Sequence, residues 1–161
     1  MEPFEHEIAR AIDEARVQDG PARILIVGET MSTASDLITR LEQRRHQCTS
    51  VQRLAEASAA IARRHYDLIL LNPRLPDGDG LELAGVVQKT SPATKTIILS
   101  DDTSPDAAID AMRHGAIDFV RVPCDMHELA ARIDSALLKS RADRQREDRL
   151  SKLQKICKEL N

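Results

Sequence analysis

The sequence predicts an α/β fold in which helices cover both faces of a doubly wound, five-stranded parallel sheet. Two observations lead to this prediction. Short apolar runs such as 23–27 and 68–71 alternate with longer amphipathic segments along the chain. The connections between them are short, which is typical of successive βαβ units with right-handed crossovers. A length of 161 residues supports one domain of ordinary size with additional segments.

Each predicted element has a local signal. The strands are continuous apolar or β-branched runs, as expected of buried parallel strands, and fall at 23–27, 47–51, 68–71, 96–99 and 117–120. The first helix has Leu37 and Leu41 on its inward face, and the next two are predicted at 54–64 and 80–88. The fourth begins with Ser104 as its N-cap and Pro105 in its first turn, and Gly115 ends it. The fifth follows Asp125.

Two segments extend this domain, which gives predicted boundaries of 1–20, 21–140 and 141–161. The first is an N-terminal amphipathic helix, with Phe4, Ile8, Ile12 and Ala15 on one face and a stop at Gly20-Pro21. At the other end, neither Gly nor Pro occurs from residue 125 to 161, which predicts an extended C-terminal helix. Its last turns carry apolar residues at 3-4-3 spacing, the pattern of a coiled coil: Leu150, Leu153, Cys157 and Leu160.

Composition excludes several classes of function. The net charge is −3 with charges of both signs, so we expect no nucleic-acid binding. No apolar run approaches the roughly 20 residues of a membrane span, and we expect no membrane contact and a cytoplasmic location. Aromatic residues make up 2% of the chain, the histidines are scattered and the three cysteines are widely spaced. We therefore expect reduced thiols, no metal and no cofactor.

The most informative motif is the segment 67–80, Asp-Leu-Ile-Leu-Leu-Asn-Pro-Arg-Leu-Pro-Asp-Gly-Asp-Gly. It is a buried strand that runs into a Pro/Gly turn, and it resembles the third strand and following loop of response-regulator receiver domains. In that family the strand ends in the aspartate that accepts a phosphoryl group, and here the position is Asn72. The resemblance covers about residues 22 to 140. It implies the sheet order 2-1-3-4-5, shared with flavodoxins, and a cis peptide bond before Pro123.

The resemblance assigns a pocket at the carboxyl ends of the strands. Gly28 and Glu29 stand where receivers carry the acidic pair that holds Mg²⁺, and Val122 stands where they carry a lysine. The positions that keep the family pattern are the small hydroxyl residue, the aromatic residue and the proline: Ser100, Phe119 and Pro123.

The three departures predict a receiver that has lost its chemistry. Asn72 is neutral and a poor nucleophile, so it cannot form an acyl phosphate. Glu29 alone supplies little charge for Mg²⁺, and Val122 removes the cation that would stabilise the phosphoryl oxygens. A laboratory substitution would explain Asn72 but not the other two changes. We therefore expect a protein that is not an enzyme and signals through protein contacts.

Two alternatives remain from the sequence. The loop Thr30–Thr33 follows the first strand and is rich in hydroxyl groups, which could bind phosphate or flavin as in a flavodoxin-like module. It lacks the internal glycine of the flavodoxin pattern. The other alternative is a residual receiver that is phosphorylated at an unusual position.

The predicted partners are a second copy of the chain or another protein. Receivers often associate through their fourth helix, fifth strand and fifth helix. The residues that this resemblance places on such a face are Ile109, Met112, Arg113, Phe119, Arg121, Met126 and Arg132.

Overall fold

A computed structural model of the chain describes residues 21–28 and 34–160. The predicted N-terminal helix, Glu29 and the Thr30–Thr33 loop lie outside these described residues. The described elements, in chain order, are β1 (Arg23–Val27), α1 (Ala34–Gln43), β2 (Gln47–Val51), α2 (Leu54–Arg63), β3 (Leu68–Leu71), α3 (Gly80–Thr90), β4 (Lys95–Ser100), α4 (Pro105–Arg113), β5 (Asp118–Arg121) and α5 (Met126–Leu160).

The five strands form one parallel sheet in the order β2-β1-β3-β4-β5. This confirms the predicted fold class and strand order. The sheet separates two apolar clusters, because alternate residues of each strand point to opposite faces. Ile24, Ile26 and Leu70 pack with α1 and α5 on one face. Leu25 and Ile69 pack with α2, α3 and α4 on the other.

Local signals fixed the ends of several elements. Ser104 Oγ accepts a hydrogen bond from the Ala107 N–H at 3.3 Å, as expected of the N-cap of α4. Gly115 follows the end of α4 with φ +91°, a left-handed conformation that suits glycine. The peptide bond between Val122 and Pro123 is cis, in agreement with the family resemblance. The sequence did not predict the two-residue antiparallel strands 74–75 and 78–79, which form a small hairpin before α3.

The last helix runs without interruption for 35 residues. Its first half buries Leu129, Ile133 and Leu137 against the sheet, as the apolar stripe predicted. Contact with the domain continues beyond the predicted boundary at residue 140, because Asp143 pairs with Lys95. Beyond Arg144 the helix leaves the domain with its side chains exposed. Among the described residues, none of the helices combines the length and apolar character needed to cross a membrane.

Candidate functional site

The predicted pocket lies at the carboxyl edge of the sheet, where β1, β3, β4 and β5 end side by side. Gly28 follows β1 and Asn72 follows β3, and the Asn72 N–H donates to the Val27 carbonyl at 3.0 Å. Ser100 ends β4, and its carbonyl accepts the Val122 N–H at 3.0 Å. The described members of the pocket are therefore brought to one edge by strand pairing alone.

Asn72 takes part in the structure of the loop that follows it. Its Oδ1 accepts a hydrogen bond from the Arg74 N–H at 3.0 Å, the local pattern by which Asn and Asp stabilise turns. A Cβ atom at Gly80 would lie 2.6 Å from the Asn72 carbonyl oxygen, so the loop closes tightly against this residue. The amide oxygen supports the loop as a carboxylate oxygen would, but it carries no negative charge.

Gly28 is held in a conformation that disfavours any side chain. Its φ is +86°, and a Cβ atom there would lie 2.8 Å from Leu75 Cδ2 and 3.0 Å from Asn72 Cβ. These two side chains occupy the space where the first atom of an aspartate would have to fit. The loss of the acidic residue at position 28 is thus accompanied by packing that fills its place.

Val122 is an apolar residue at the position where receivers carry a lysine. Its side chain is partly buried and packs against the apolar cluster beneath α1 and α5. Ser100 is buried, and its Oγ accepts the Asp102 N–H at 3.1 Å. The hydroxyl group that the family keeps at this position is therefore used here to hold the loop after β4.

The loop acids have structural partners. Asp77 accepts hydrogen bonds from the Leu54 and Ala55 N–H groups at 2.7 and 3.0 Å, which caps α2. These bonds hold the pKa of Asp77 below its ordinary value. Asp79 caps α3 through the Leu81 N–H at 3.0 Å. The sequence did not reveal that Asp77 caps a helix that begins 23 residues earlier in the chain.

Asp102 lies in the loop between β4 and α4. It is partly buried, and its Oδ1 accepts the Ser104 N–H at 2.8 Å. This hydrogen bond is the main cause that lowers the pKa of Asp102. Its other oxygen lies 4.0 Å from the Arg74 guanidinium group. Asp101, its neighbour, is exposed.

A cleft of about 590 Å³ opens beside the pocket, between the 74–79 hairpin and α4. Phe119 is partly buried, packs against the apolar cluster beneath α2, α3 and α4, and lines this cleft with Ser100 and Arg74. The aromatic side chain thus points into the domain and contributes to the cleft wall rather than to the outer surface of β5.

The predicted partner face is only partly free. Ile109 and Met112 of α4 are 47% and 51% exposed. Arg121 donates to the Thr103 carbonyl at 3.2 Å, and Arg132 pairs with Asp118 at 2.7 Å. Arg113 is also exposed, at the end of α4.

The family resemblance also placed Met126 on this face, and in the structure its contacts lie toward α1. Its side chain is partly buried against the apolar cluster of α1 and α5, where it lines a groove with Leu37 and Leu41. Met126 is the first residue of α5.

The apolar residues of the final turns are exposed to solvent. Leu150, Leu153 and Leu160 are 60%, 57% and 81% exposed, and Cys157 is a free, exposed thiol. Ile156, which broadens the same stripe, is 51% exposed. Three turns of helix therefore present a row of large apolar side chains that the domain itself does not cover.

The fold and the site define a receiver-type α/β domain, and comparison with known proteins gives its family. The model of the response regulator receiver domain matches residues 24–134, so the chain belongs to this family of two-component signalling. A regulatory protein of Vibrio cholerae, LuxO, is 39% identical over 85 residues, which cover 53% of this chain and 19% of LuxO. The response regulator protein PilR of Pseudomonas aeruginosa is 33% identical over 115 residues, or 71% of this chain and 26% of PilR.

The matched region thus spans about a fifth to a quarter of these relatives. Among solved structures, the beryllofluoride-activated receiver domain dimer of NtrC4 has a TM-score of 0.68 and 27% identity, with 73% of this chain and 98% of that chain covered. The resemblance stated from the motifs is therefore confirmed at the level of the family.

The described residues of the pocket do not fit the Mg²⁺ ion that the family implies. Gly28 has no side chain, Asn72 supplies an uncharged oxygen and Val122 is apolar. Within the described part of the chain, no group of three or more His, Cys, Asp or Glu side chains is placed to hold a metal ion. Mg²⁺ takes hard oxygen ligands, usually with carboxylates among them.

Proposed function

We propose that the chain is a receiver domain that signals without phosphorylation, by association with a second copy of itself or with another protein. The observation that carries this proposal is Asn72, whose amide oxygen bonds the Arg74 N–H at the position of the phosphoryl acceptor. An amide cannot serve as the nucleophile that a carboxylate provides. No residue of the chain is then assigned a catalytic role.

The surroundings of Asn72 support the same conclusion. Phosphoryl transfer depends on positioned positive charge around the transferring group. Val122 supplies none, because its side chain is apolar and packs, partly buried, against the cluster beneath α1 and α5. Gly28 has no room for a carboxylate that would hold Mg²⁺. The described pocket positions 28, 72 and 122 thus supply no charge, and their surroundings are apolar and loop-supporting contacts.

The final turns of α5 support a role in self-association. In a parallel pair of helices, Leu150, Leu153, Cys157 and Leu160 would occupy the a and d positions of a short coiled coil. The lysines of this segment then lie on the outside of the pair, at b, c and f positions: Lys152, Lys155 and Lys158. Like charges therefore do not meet at the seam, the line of a and d residues along which the two helices would contact each other.

The seam is short, so the receiver itself must contribute to the dimer. Ile109 and Met112 give α4 an exposed apolar surface for this purpose. The NtrC4 receiver domain, which shares this fold, forms a dimer in its beryllofluoride-activated state. We infer that α4, β5 and α5 form the second part of the contact, with Arg113 and Arg121 at its edge.

Intact-mass spectrometry tests the loss of phosphorylation. The full chain is incubated with acetyl phosphate and Mg²⁺, beside a receiver that retains its acceptor aspartate as a control. We expect the control to gain about 80 Da, one phosphoryl group, and this chain to keep its mass. A stoichiometric adduct that maps to the residues around Asn72 would contradict the proposal and favour phosphorylation at an unusual position.

A further inference from the structure

A groove of about 370 Å³ lies between α1 and the beginning of α5. Its floor is apolar and consists of the buried Leu37, Leu41 and Ile133 together with the partly buried Met126 and Ala130. Its rim is basic, with the exposed side chains of Arg40, Arg44 and His127. The groove therefore suits an apolar segment that carries negative charge.

We propose that this groove binds the N-terminal segment of the same chain, residues 4–15, as an amphipathic helix. The apolar residues of this segment, Phe4, Ile8, Ile12 and Ala15, recur every three or four positions and so share one helical face. Placed in the groove, that face covers the floor formed by α1 and α5.

The charges of the two partners are complementary. Residues 1–19 contain six acidic residues and two arginines. Glu7 and Glu14, seven positions apart, lie along one edge of the apolar face of the predicted helix. Arg44 pairs with Asp134 at 2.9 Å. Arg40 has no ion pair with any residue in the described ranges, which leaves its guanidinium group available to an acidic partner.

The position where the chain enters the domain makes this docking possible. The Ala22 N–H donates to His46 Nδ1 at 3.1 Å, so the start of β1 lies beside the end of α1. Twelve helical residues span roughly 18 Å at about 1.5 Å per residue. The ten residues of α1 span roughly 15 Å by the same measure. A turn at Gly20-Pro21 would therefore let residues 4–15 run along α1 for its whole length.

The consequence is a domain that covers its own α1/α5 surface. Another protein could reach that surface only by displacing the N-terminal segment. The inference is independent of the phosphorylation state of the pocket and of the coiled coil, since neither Asn72 nor the final turns of α5 contribute to the groove.

A single tryptophan tests the proposal in the full chain. The sequence contains no tryptophan, so Phe4→Trp introduces the only one. We expect its fluorescence emission at the short wavelengths of a buried indole. Adding Ile8→Glu should shift the emission to longer wavelength, because a carboxylate would be buried on the apolar floor. Adding Arg40→Glu should shift it in the same direction, because the new carboxylate repels the acidic segment.

Matched controls separate docking from general damage. His6→Glu adds the same charge on the opposite face of the predicted helix, and Arg63→Glu makes the same reversal on α2; neither should move the emission. Solvent-exposed emission from the folded Phe4→Trp protein, or equal shifts with His6→Glu and Ile8→Glu, would overturn the proposal.

Two further measurements identify the segment that occupies the groove. The first is amide hydrogen exchange in proteins without a tryptophan, which should be slower across Leu37–Arg44 in the natural sequence than in Ile8→Glu. Equal exchange rates would also overturn the proposal. In a Leu153→Glu/Leu160→Glu background the short-wavelength emission should persist on dilution. Its loss on dilution would assign the groove to the N-terminal segment of a second copy, contrary to the intramolecular docking proposed.

Discussion

Lys95, at the start of β4, donates a hydrogen bond from its Nζ to the carboxylate of Asp143 on α5. The next residue along the helix, Arg144, lies 3.5 Å from Asp67, whose other oxygen accepts the Arg23 N–H at 2.9 Å. These contacts hold α5 to the amino edge of the sheet at a point beyond the end of the apolar stripe of the helix. They define the direction in which the exposed final turns leave the domain.

The first prediction concerns this attachment. Asp143→Asn should lower the free energy of unfolding by about 0.5 kcal/mol at neutral pH, as expected of a partly exposed ion pair. The Lys95 hydrogen bond lowers the pKa of Asp143 below 3.8, its value in an unfolded chain. The contribution of the Asp143 carboxylate to stability is therefore complete above the unfolded pKa of 3.8. This contribution is lost as the pH falls through the lower pKa that Asp143 has in the folded protein.

Urea denaturation as a function of pH measures this effect. The difference between the natural sequence and Asp143→Asn should shrink below about pH 4. Glu147→Gln, an exposed change on the same helix, serves as the control and should have little effect at any pH. A difference that stays constant between pH 7 and pH 3 would show that the ion pair is not its cause.

The second prediction concerns Gly28. Gly28→Ala should destabilise the domain by about 2 kcal/mol, because the left-handed conformation penalises a side chain and the new Cβ would crowd Leu75. Gly85→Ala is the matched control: it lies within α3, and nothing is within 4 Å of the added Cβ. It should stabilise the domain by about 0.5–1 kcal/mol. Equal effects of the two changes in thermal unfolding would contradict the strain assigned to position 28.

The third prediction concerns restoration of the acceptor. Asn72→Asp alone should not make the chain a substrate for acetyl phosphate, because Gly28 and Val122 still supply no charge to the pocket. Phosphate incorporation should stay at background in a time course followed by mass spectrometry. Rapid and stoichiometric labelling of this variant would show that the remaining losses are tolerated, and that Asn72 alone blocks the chemistry.

The fourth prediction concerns the final turns of α5. Leu153→Glu with Leu160→Glu should weaken the dimer, because carboxylates would be buried at its seam. Lys155→Glu, at an outward position of the same segment, should leave it unchanged. A chain cut after Arg149 should also associate less; this cut keeps Asp143 and Arg144, so it does not disturb the attachment to the sheet. Association is measured by size-exclusion chromatography with light scattering. If the double variant and the shortened chain associate as strongly as the intact chain, the coiled-coil contact is refuted.

The relative orientation of the two C-terminal helices can be measured separately. In a parallel, in-register dimer the two Cys157 side chains meet at an a position. Mild oxidation should then produce a cross-linked dimer on a non-reducing gel, and Cys157→Ser should abolish it. Failure of the intact, dimeric protein to cross-link would favour an antiparallel arrangement.

The sequence predicted most of the fold because the relevant signals are local. Buried parallel strands are short apolar runs, and Ser104, Pro105 and Gly115 act on their own helix ends. The residues at the carboxyl edge could be placed by family resemblance, since strand order alone brings Asn72 and Ser100 together. Strand pairing is a property of the backbone, and so it survives the change of side chains in the pocket.

The missed features depend on contacts between distant residues. Asp77 caps a helix that begins at Leu54, and Lys95 meets an acid 48 residues away. The amino-acid pattern around either residue carries no trace of its partner. The contacts of Met126 could not be predicted for a related reason, because they depend on the packing of α1 against α5.

Sedimentation equilibrium with and without acetyl phosphate and Mg²⁺ tests the central claim most directly. If the chain signals by self-association without phosphorylation, the 161-residue protein should be a dimer with the same dissociation constant under both conditions. A chain that is monomeric at high micromolar concentration, or a dissociation constant that changes when acetyl phosphate and Mg²⁺ are added, would contradict signalling by phosphorylation-independent self-association.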